Sequence, residues 1–197
     1  MPKISALLLA TGQSTRMGCS NKFLLPLGCK PAIRWCIDNL RAAGLTELVV
    51  VLGPSGAPIA EQIADLPVTL AWNNAPASAM ADSVRVGLEK ITPETTAVLI
   101  FPADYPLVST ATISRLLENH WRHPDKIIIP TLHGRKGHPV IFPRPFLAEL
   151  AHLPTLRDGL HQDPQRFKLV AVDDEAILLD METPEEYRRL QAVMVPA

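Results

Sequence analysis

The sequence is poor in cysteine, carries almost no net charge and contains no long apolar run. Its three cysteines, Cys19, Cys29 and Cys36, are gathered near the start without a C-x-x-C pair. That odd count and spacing argue against a disulfide framework and a structural zinc site, so a reduced cytoplasmic setting is the simplest expectation. Nineteen Lys and Arg stand against twenty Asp and Glu, a net charge of −1. Phosphate-backbone binding usually shows as a basic excess, so nucleic acid is not expected as the main partner. No stretch approaches the ~18 apolar residues that a membrane span needs. The apolar run ending at Ala10 is only about seven residues long and leads straight into Thr11-Gly12-Gln13-Ser14, without the core and cleavage site of a signal peptide. A soluble protein with no membrane partner is expected.

What is present fits one globular domain spanning residues 1–197. Hydrophobic residues make up 47% and charged residues 20%, too apolar for disorder. The nineteen prolines, about twice the usual share of roughly 5%, are dispersed and read as turn and helix-entry punctuation.

Short apolar runs alternate with helix-like stretches. Ile4–Ala10, Leu48–Leu52, Val68–Trp72, Val98–Phe101 and Ile127–Ile129 are expected strands, apolar without polar alternation, as strands buried on both faces are. Between them Ala32–Ala43, Ile59–Ala64, Ser78–Lys90 and Ser109–Trp121 are expected helices, the first bracketed by Pro31 and Gly44. Thr183-Pro184-Glu185-Glu186 spells a capping box with proline at the first helical position. The alternation predicts an α/β fold, a doubly wound and mostly parallel sheet of Rossmann-like type. After residue 130 the pattern varies: strands at Gly137–Phe142, Lys168–Val172 and Ile177–Leu179, short helices at Pro145–Leu150 and Thr155–His161.

The first strand runs into Ala10-Thr11-Gly12-Gln13-Ser14-Thr15-Arg16-Met17-Gly18. Small residues in that place let backbone N–H groups approach a phosphate, while Ser14 adds a hydroxyl and Arg16 and Lys22 add positive charge. A plain turn with solvated charges fits the turn alone equally well. The pattern is neither the Gly-x-Ser-x-Gly elbow, since Arg16 replaces the second glycine, nor Gly-x-Gly-x-x-Gly, nor a Walker loop. Asp104 falls just past a buried strand, at the edge where open α/β sheets bind ligands, and Asp180 follows another apolar run. One or two such carboxylates suffice for Mg²⁺. As structural residues, Asp104 would form a turn before Pro106, and Asp180 would favour the start of the last helix.

The run Leu9–Gly18, followed by Lys22 and Leu24-Leu25-Pro26-Leu27-Gly28-Cys29-Lys30-Pro31, resembles the MobA-like nucleotidyltransferases. Asn73–Leu88, Asp104–Val108, Gly137–Val140 and Leu179–Glu186 agree in order, so the resemblance covers nearly the whole chain. Gly134–Val140 is most similar to the molybdenum cofactor cytidylyltransferases of the MocA type. The family departs from this chain at Ala103, where glycine is usual, at the three residues between Gly18 and Lys22, where two are expected, and at Glu182, where aspartate is common. Thr11 stands between the Ala-Ala-Gly and Ala-Gly-Gly forms of the first turn.

The resemblance implies an enzyme that moves a nucleoside monophosphate, CMP from CTP by preference, onto a phosphorylated acceptor such as molybdopterin, releasing pyrophosphate. It implies Mg²⁺ on Asp104 and Asp180, with Arg16, Lys22 and Asp104 catalytic. Ala10, Thr11, Gly12, Ser14, Arg16, Met17, Gly18, Lys22, Asn73 and Ser78 would bind nucleotide within residues 1–130. Gly137, His138 and Pro139 would meet the acceptor within residues 131–197, and an apo molybdoenzyme or its maturation factor would be the protein partner. The same chemistry with GTP or another acceptor, and a non-catalytic nucleotide-binding module, are the alternatives.

Overall fold

The computed structural model describes residues 3–18, 21–75, 80–150 and 164–194. In chain order they form β1 (Lys3–Ala10), a small hairpin of β2 (Pro26–Leu27) and β3 (Lys30–Pro31), α1 (Ala32–Ala42), β4 (Leu48–Leu52), α2 (Ala57–Gln62), β5 (Thr69–Trp72) and α3 (Met80–Leu88). Then follow β6 (Thr95–Pro102), α4 (Thr110–Arg122), β7 (Ile127–Leu132), β8 (Arg135–Lys136), β9 (Val140–Pro143), α5 (Arg144–Leu150), β10 (Phe167–Ala171) and a last helix, α6 (Pro184–Met194).

The main sheet runs β10-β7-β9-β6-β1-β4-β5, with β8 beside β7. Strands β10, β7, β6, β1, β4 and β5 share one direction and β9 opposes them, giving the mostly parallel α/β sheet expected. Because strand side chains alternate between faces, Ala6, Leu8 and Ala10 of β1 join one core with Ile33, Ile37 and Leu40 of α1. Leu7 and Leu9 join a second core with Val84 of α3 and Leu147 of α5. Burial on both faces is why these strands read as continuous apolar runs. A third cluster of Leu27, Ala32, Met181 and Leu190 fastens α6 to the small hairpin, and the Tyr187 hydroxyl donates to the Pro26 carbonyl at 2.6 Å.

The capping box forms. Glu186 Oε2 accepts from the Thr183 N–H at 2.8 Å, and the Glu186 N–H donates to Thr183 Oγ1 at 3.3 Å. Ser109 caps α4 through the Thr112 N–H at 3.1 Å. No helix among the described residues is long and apolar enough to cross a membrane. The helix expected at Thr155–His161 lies outside the described residues.

Two expectations need correction. Ile177–Leu179 is not a strand: Glu175–Leu178 form a 3₁₀ turn, capped by Asp174, whose Oδ1 accepts the Ala176 N–H at 3.0 Å. The turn buries Ala176 and Ile177 in the first core, so apolar residues that read as strand are satisfied without a strand neighbour. The strand expected to start at Gly137 starts at Val140, because the intervening backbone is engaged elsewhere. The Gly137 N–H donates to the Pro130 carbonyl at 2.9 Å and the His138 N–H to the Ile177 carbonyl at 3.0 Å.

That contact requires glycine, since a Cβ on residue 137 would stand 2.4 Å from the Ile177 carbonyl oxygen. Gly137→Ala should therefore destabilise the protein by about 1–3 kcal/mol through overpacking. A urea unfolding midpoint unchanged from wild type would contradict so tight a contact.

Candidate functional site

The chain leaves β1 toward β4 and β5 on one side and returns to β6 on the other, so the direction of winding switches between β1 and β6. Loops at the carboxyl ends of two such strands diverge and leave a crevice. Leu9 pairs with Pro102, and the Ala103 N–H donates to the Leu9 carbonyl at 3.0 Å, so the turn after Ala10 and the turn bearing Asp104 begin side by side.

The turn after β1 is shaped by two left-handed residues, Ser14 (φ 53°) and Gly18 (φ 62°), flanking one 3₁₀ turn at Thr15–Met17. Ser14 is buried, and its Oγ accepts the Lys22 N–H at 2.8 Å. Asn21 accepts the Phe23 N–H at 3.1 Å and starts the next 3₁₀ turn. Both bonds direct Lys22 inward. Its side chain is only 7% exposed, and Nζ donates to Asp104 Oδ2 at 2.8 Å. The other oxygen, Asp104 Oδ1, is buried with no hydrogen-bond partner.

Three clefts meet at this turn. The largest, about 330 Å³, lies among Thr11, Gly12, Gly53, Asn73 and Asp104. A second of about 300 Å³ extends from Gly12 toward Asn21 and Gly56. The third, about 170 Å³, lies among Gln13, Ser14, Arg16, Lys22 and Glu182. In it Arg16, mostly exposed, pairs with Glu182. Asn73 is 4% exposed, its amide fixed by Ser83 Oγ at 3.0 Å and by the Ala75 N–H at 3.2 Å. The Ser83 hydroxyl donates in turn to Thr11 Oγ1 at 3.2 Å.

Thr11, Gly12, Ser14, Arg16, Lys22, Asn73 and Asp104 are thus brought together around these clefts. Ala10 lines the second cleft, Met17 is buried beside these residues, and Gly18 closes the turn. Ser78 lies outside the described residues. The sequence reading missed Gln13, Gly53 and Pro54. The last two follow β4 at the same sheet edge, the signal that could have found them, and a Cβ on Gly53 would stand 3.1 Å from the Thr11 carbonyl oxygen.

On the other side of Asp104 the Met181 N–H donates to the Asp104 carbonyl at 2.9 Å, and Asp180, the residue before it, lines a separate small cleft with Leu179, Glu186 and Arg189. Burial, then the Glu186 and Asp104 carboxylates, pushes the Asp180 carboxyl up from its ordinary value. His138 packs against Tyr105 with ring centroids 4.9 Å apart and the ring planes tilted by 50°. Its Nδ1 is buried without a partner, and burial holds the imidazole below its usual range. Burial, with Asp180 and Asp104 nearby, pushes the Tyr105 phenol up.

No group of three or more His, Cys, Asp or Glu side chains able to hold a metal ion occurs among the described residues. A hard divalent ion needs only one or two carboxylates. Asp104, with an unsatisfied oxygen, and Asp180, crowded by like charge, fit such an ion chemically.

Residues 6–167 match the MobA-like NTP transferase domain. The chain belongs to that family. Among solved structures, this MobA-like chain is similar to Rv0371c of Mycobacterium tuberculosis, 28% identical with a TM-score of 0.84 over 97% of this chain and 98% of that one. A second structure of Rv0371c, in complex with manganese, is 25% identical with a TM-score of 0.81, covering 97% and 98%. A nucleotidyl transferase from Methanothermobacter shares the fold, with a TM-score of 0.85 at 22% identity, covering 98% and 97%.

Nicotine blue oxidoreductase of Paenarthrobacter nicotinovorans is 26% identical over 96% of this chain and 97% of its own length. The bifunctional protein GlmU of Rhodospirillum rubrum is 32% identical over 66% of this chain, which spans only 28% of that relative.

The Asp180 environment has a checkable sign. A raised carboxyl pKa means that the folded protein holds its proton more tightly than the unfolded chain, so this group lowers stability as pH rises above the ordinary value of 3.8. In metal-free buffer Asp180→Asn should melt higher than wild type at pH 7, with the difference shrinking toward pH 4. A variant that melts lower at pH 7 would contradict the assignment.

Proposed function

We propose that this protein transfers CMP from CTP to the terminal phosphate of molybdopterin and releases pyrophosphate. An acceptor phosphate oxygen attacks the α-phosphorus of CTP as the bond to the bridging oxygen of pyrophosphate breaks. The observation that carries the reading is the partly buried Lys22–Asp104 pair, Asp104 lining the largest of the three clefts and Lys22 the smallest, a cation and a carboxylate held at the switch point of a nucleotidyltransferase-family sheet. Catalysis of this kind is mostly positioning and charge neutralisation.

In this reading residues 1–130 serve the nucleotide. The turn from Thr11 to Gly18 cradles the triphosphate, the cleft by Gly53 and Asn73 takes the nucleoside, and Ser78 is a further nucleotide-binding candidate. Arg16 and Lys22 offset charge building on the α-phosphate and the leaving pyrophosphate. Mg²⁺, held by Asp104 and Asp180, would supply neutralisation of the phosphate oxygens, a role consistent with the manganese complex of Rv0371c. Residues 131–197 serve the acceptor, with Gly137, His138 and Pro139 facing it beside Tyr105. An apo molybdoenzyme or its maturation factor would receive the product in the cytoplasm.

The likeness to nicotine blue oxidoreductase, 26% identical over 96% of this chain, supports a second reading, redox chemistry in the same cleft. The decisive assay measures pyrophosphate release from CTP, GTP, ATP and UTP with Mg²⁺, with and without molybdopterin. Release from CTP only when molybdopterin is present is expected. Release from GTP instead would move the base, and silence from every pair, with oxidation of added NADPH coupled to reduction of a dye acceptor, would favour the second reading. Asp104→Ala should abolish turnover, and Lys22→Ala should slow it more than tenfold, about 1.4 kcal/mol in barrier.

A further inference from the structure

Lys22 and Asp104, which would meet different parts of a metal–nucleotide complex, are bound here to each other. Nζ lies 2.8 Å from Oδ2, with the two side chains 7% and 19% exposed. Each residue is fixed at its backbone. The Lys22 N–H is held by Ser14 Oγ, and the Asp104 carbonyl accepts the Met181 N–H. With both backbones tied, the pair can part by rotation of the lysine's four-carbon stem.

A divalent ion on either oxygen of Asp104, at about 2.0–2.1 Å for Mg²⁺, would lie against an ammonium already seated on the same carboxylate. Two positive groups so close in a partly buried site repel strongly unless an anion joins them. We propose that Lys22 holds the metal's place on Asp104 in the ligand-free protein, so that the ion is taken up as the metal–nucleotide complex and not ahead of it.

The proposal rests on the nucleotidyl-transfer reading. A triphosphate gives the ammonium a second anionic partner while it delivers the ion. The ammonium passes from carboxylate to phosphate, the carboxylate from ammonium to metal, and no charge is left uncompensated. The neighbouring cation repeats the arrangement, since Arg16 rests on Glu182 across the smallest cleft. By linkage, nucleotide and metal then strengthen each other's binding by the same factor.

The test is a titration of the whole protein with Mn²⁺ in the absence of nucleotide, following the paramagnetic resonance of the free ion. Lys22→Met should bind Mn²⁺ at least tenfold more tightly than wild type, and adding Asp104→Asn should remove the gain. Lys22→Gln, which keeps a hydrogen-bond donor for Asp104, should also bind more tightly than wild type and serves if the methionine variant does not fold by circular dichroism. Affinities within threefold of wild type in the folded Lys22 variants overturn the proposal.

A calorimetric titration of CTP into wild type, in Mg²⁺ and in EDTA, separates this failure from failure of the underlying reading. Metal-dependent CTP binding with equal Mn²⁺ affinities would remove the place-holding role alone. CTP binding indifferent to metal would remove the metal role of Asp104, and the proposal with it.

Discussion

The parallel pairing of β1 with β6 is the constraint on which the rest depends. The two strands run in register to Leu9 and Pro102, and the Ala103 N–H closes the ladder, so the turns that follow cannot separate. One carries Gly12, Ser14 and Arg16 and leads to Lys22; the other carries Asp104. Everything placed around them is secured by backbone contacts to that pair of ends: Gly53 pressed against the Thr11 carbonyl, and Met181 bonded to Asp104. A rigid scaffold supports mobile chemistry at its edge.

Charge in this site is cancelled internally. Lys22 rests on Asp104 and Arg16 on Glu182, so each of these two cations already has an anionic partner. Pairs of this kind add nothing to the net charge of −1. Asp180, without a cation of its own in the described contacts, has its carboxyl pushed up by burial and by Glu186 and Asp104.

Much of this was legible in the sequence because it depends on local pattern. The central strands announced themselves by apolar runs buried on both faces, the last helix by its capping box, and the phosphate-type turn by small residues after β1. The residues the sequence hid act through contacts distant in the chain. Gly53 matters because Thr11 approaches it, and Gly137 because Ile177 does. Ile177 itself read as strand because burial, not strand pairing, was the property its apolar neighbours encoded. The Arg16–Glu182 pair, 166 positions apart, leaves no spacing to read. Chain topology, and not spacing, ties the Asp180–Met181 segment to Asp104 through the Met181 N–H.

The central claim is that the joined ends of β1 and β6 form a metal–nucleotide site. A crystal structure with CTP and Mn²⁺, its manganese located by anomalous scattering, tests this most directly. The account predicts a manganese peak between Asp104 and Asp180, the triphosphate along Gly12–Gly18, and Lys22 turned from Asp104 onto phosphate. A nucleotide seated elsewhere, or a manganese peak away from Asp104, would contradict it.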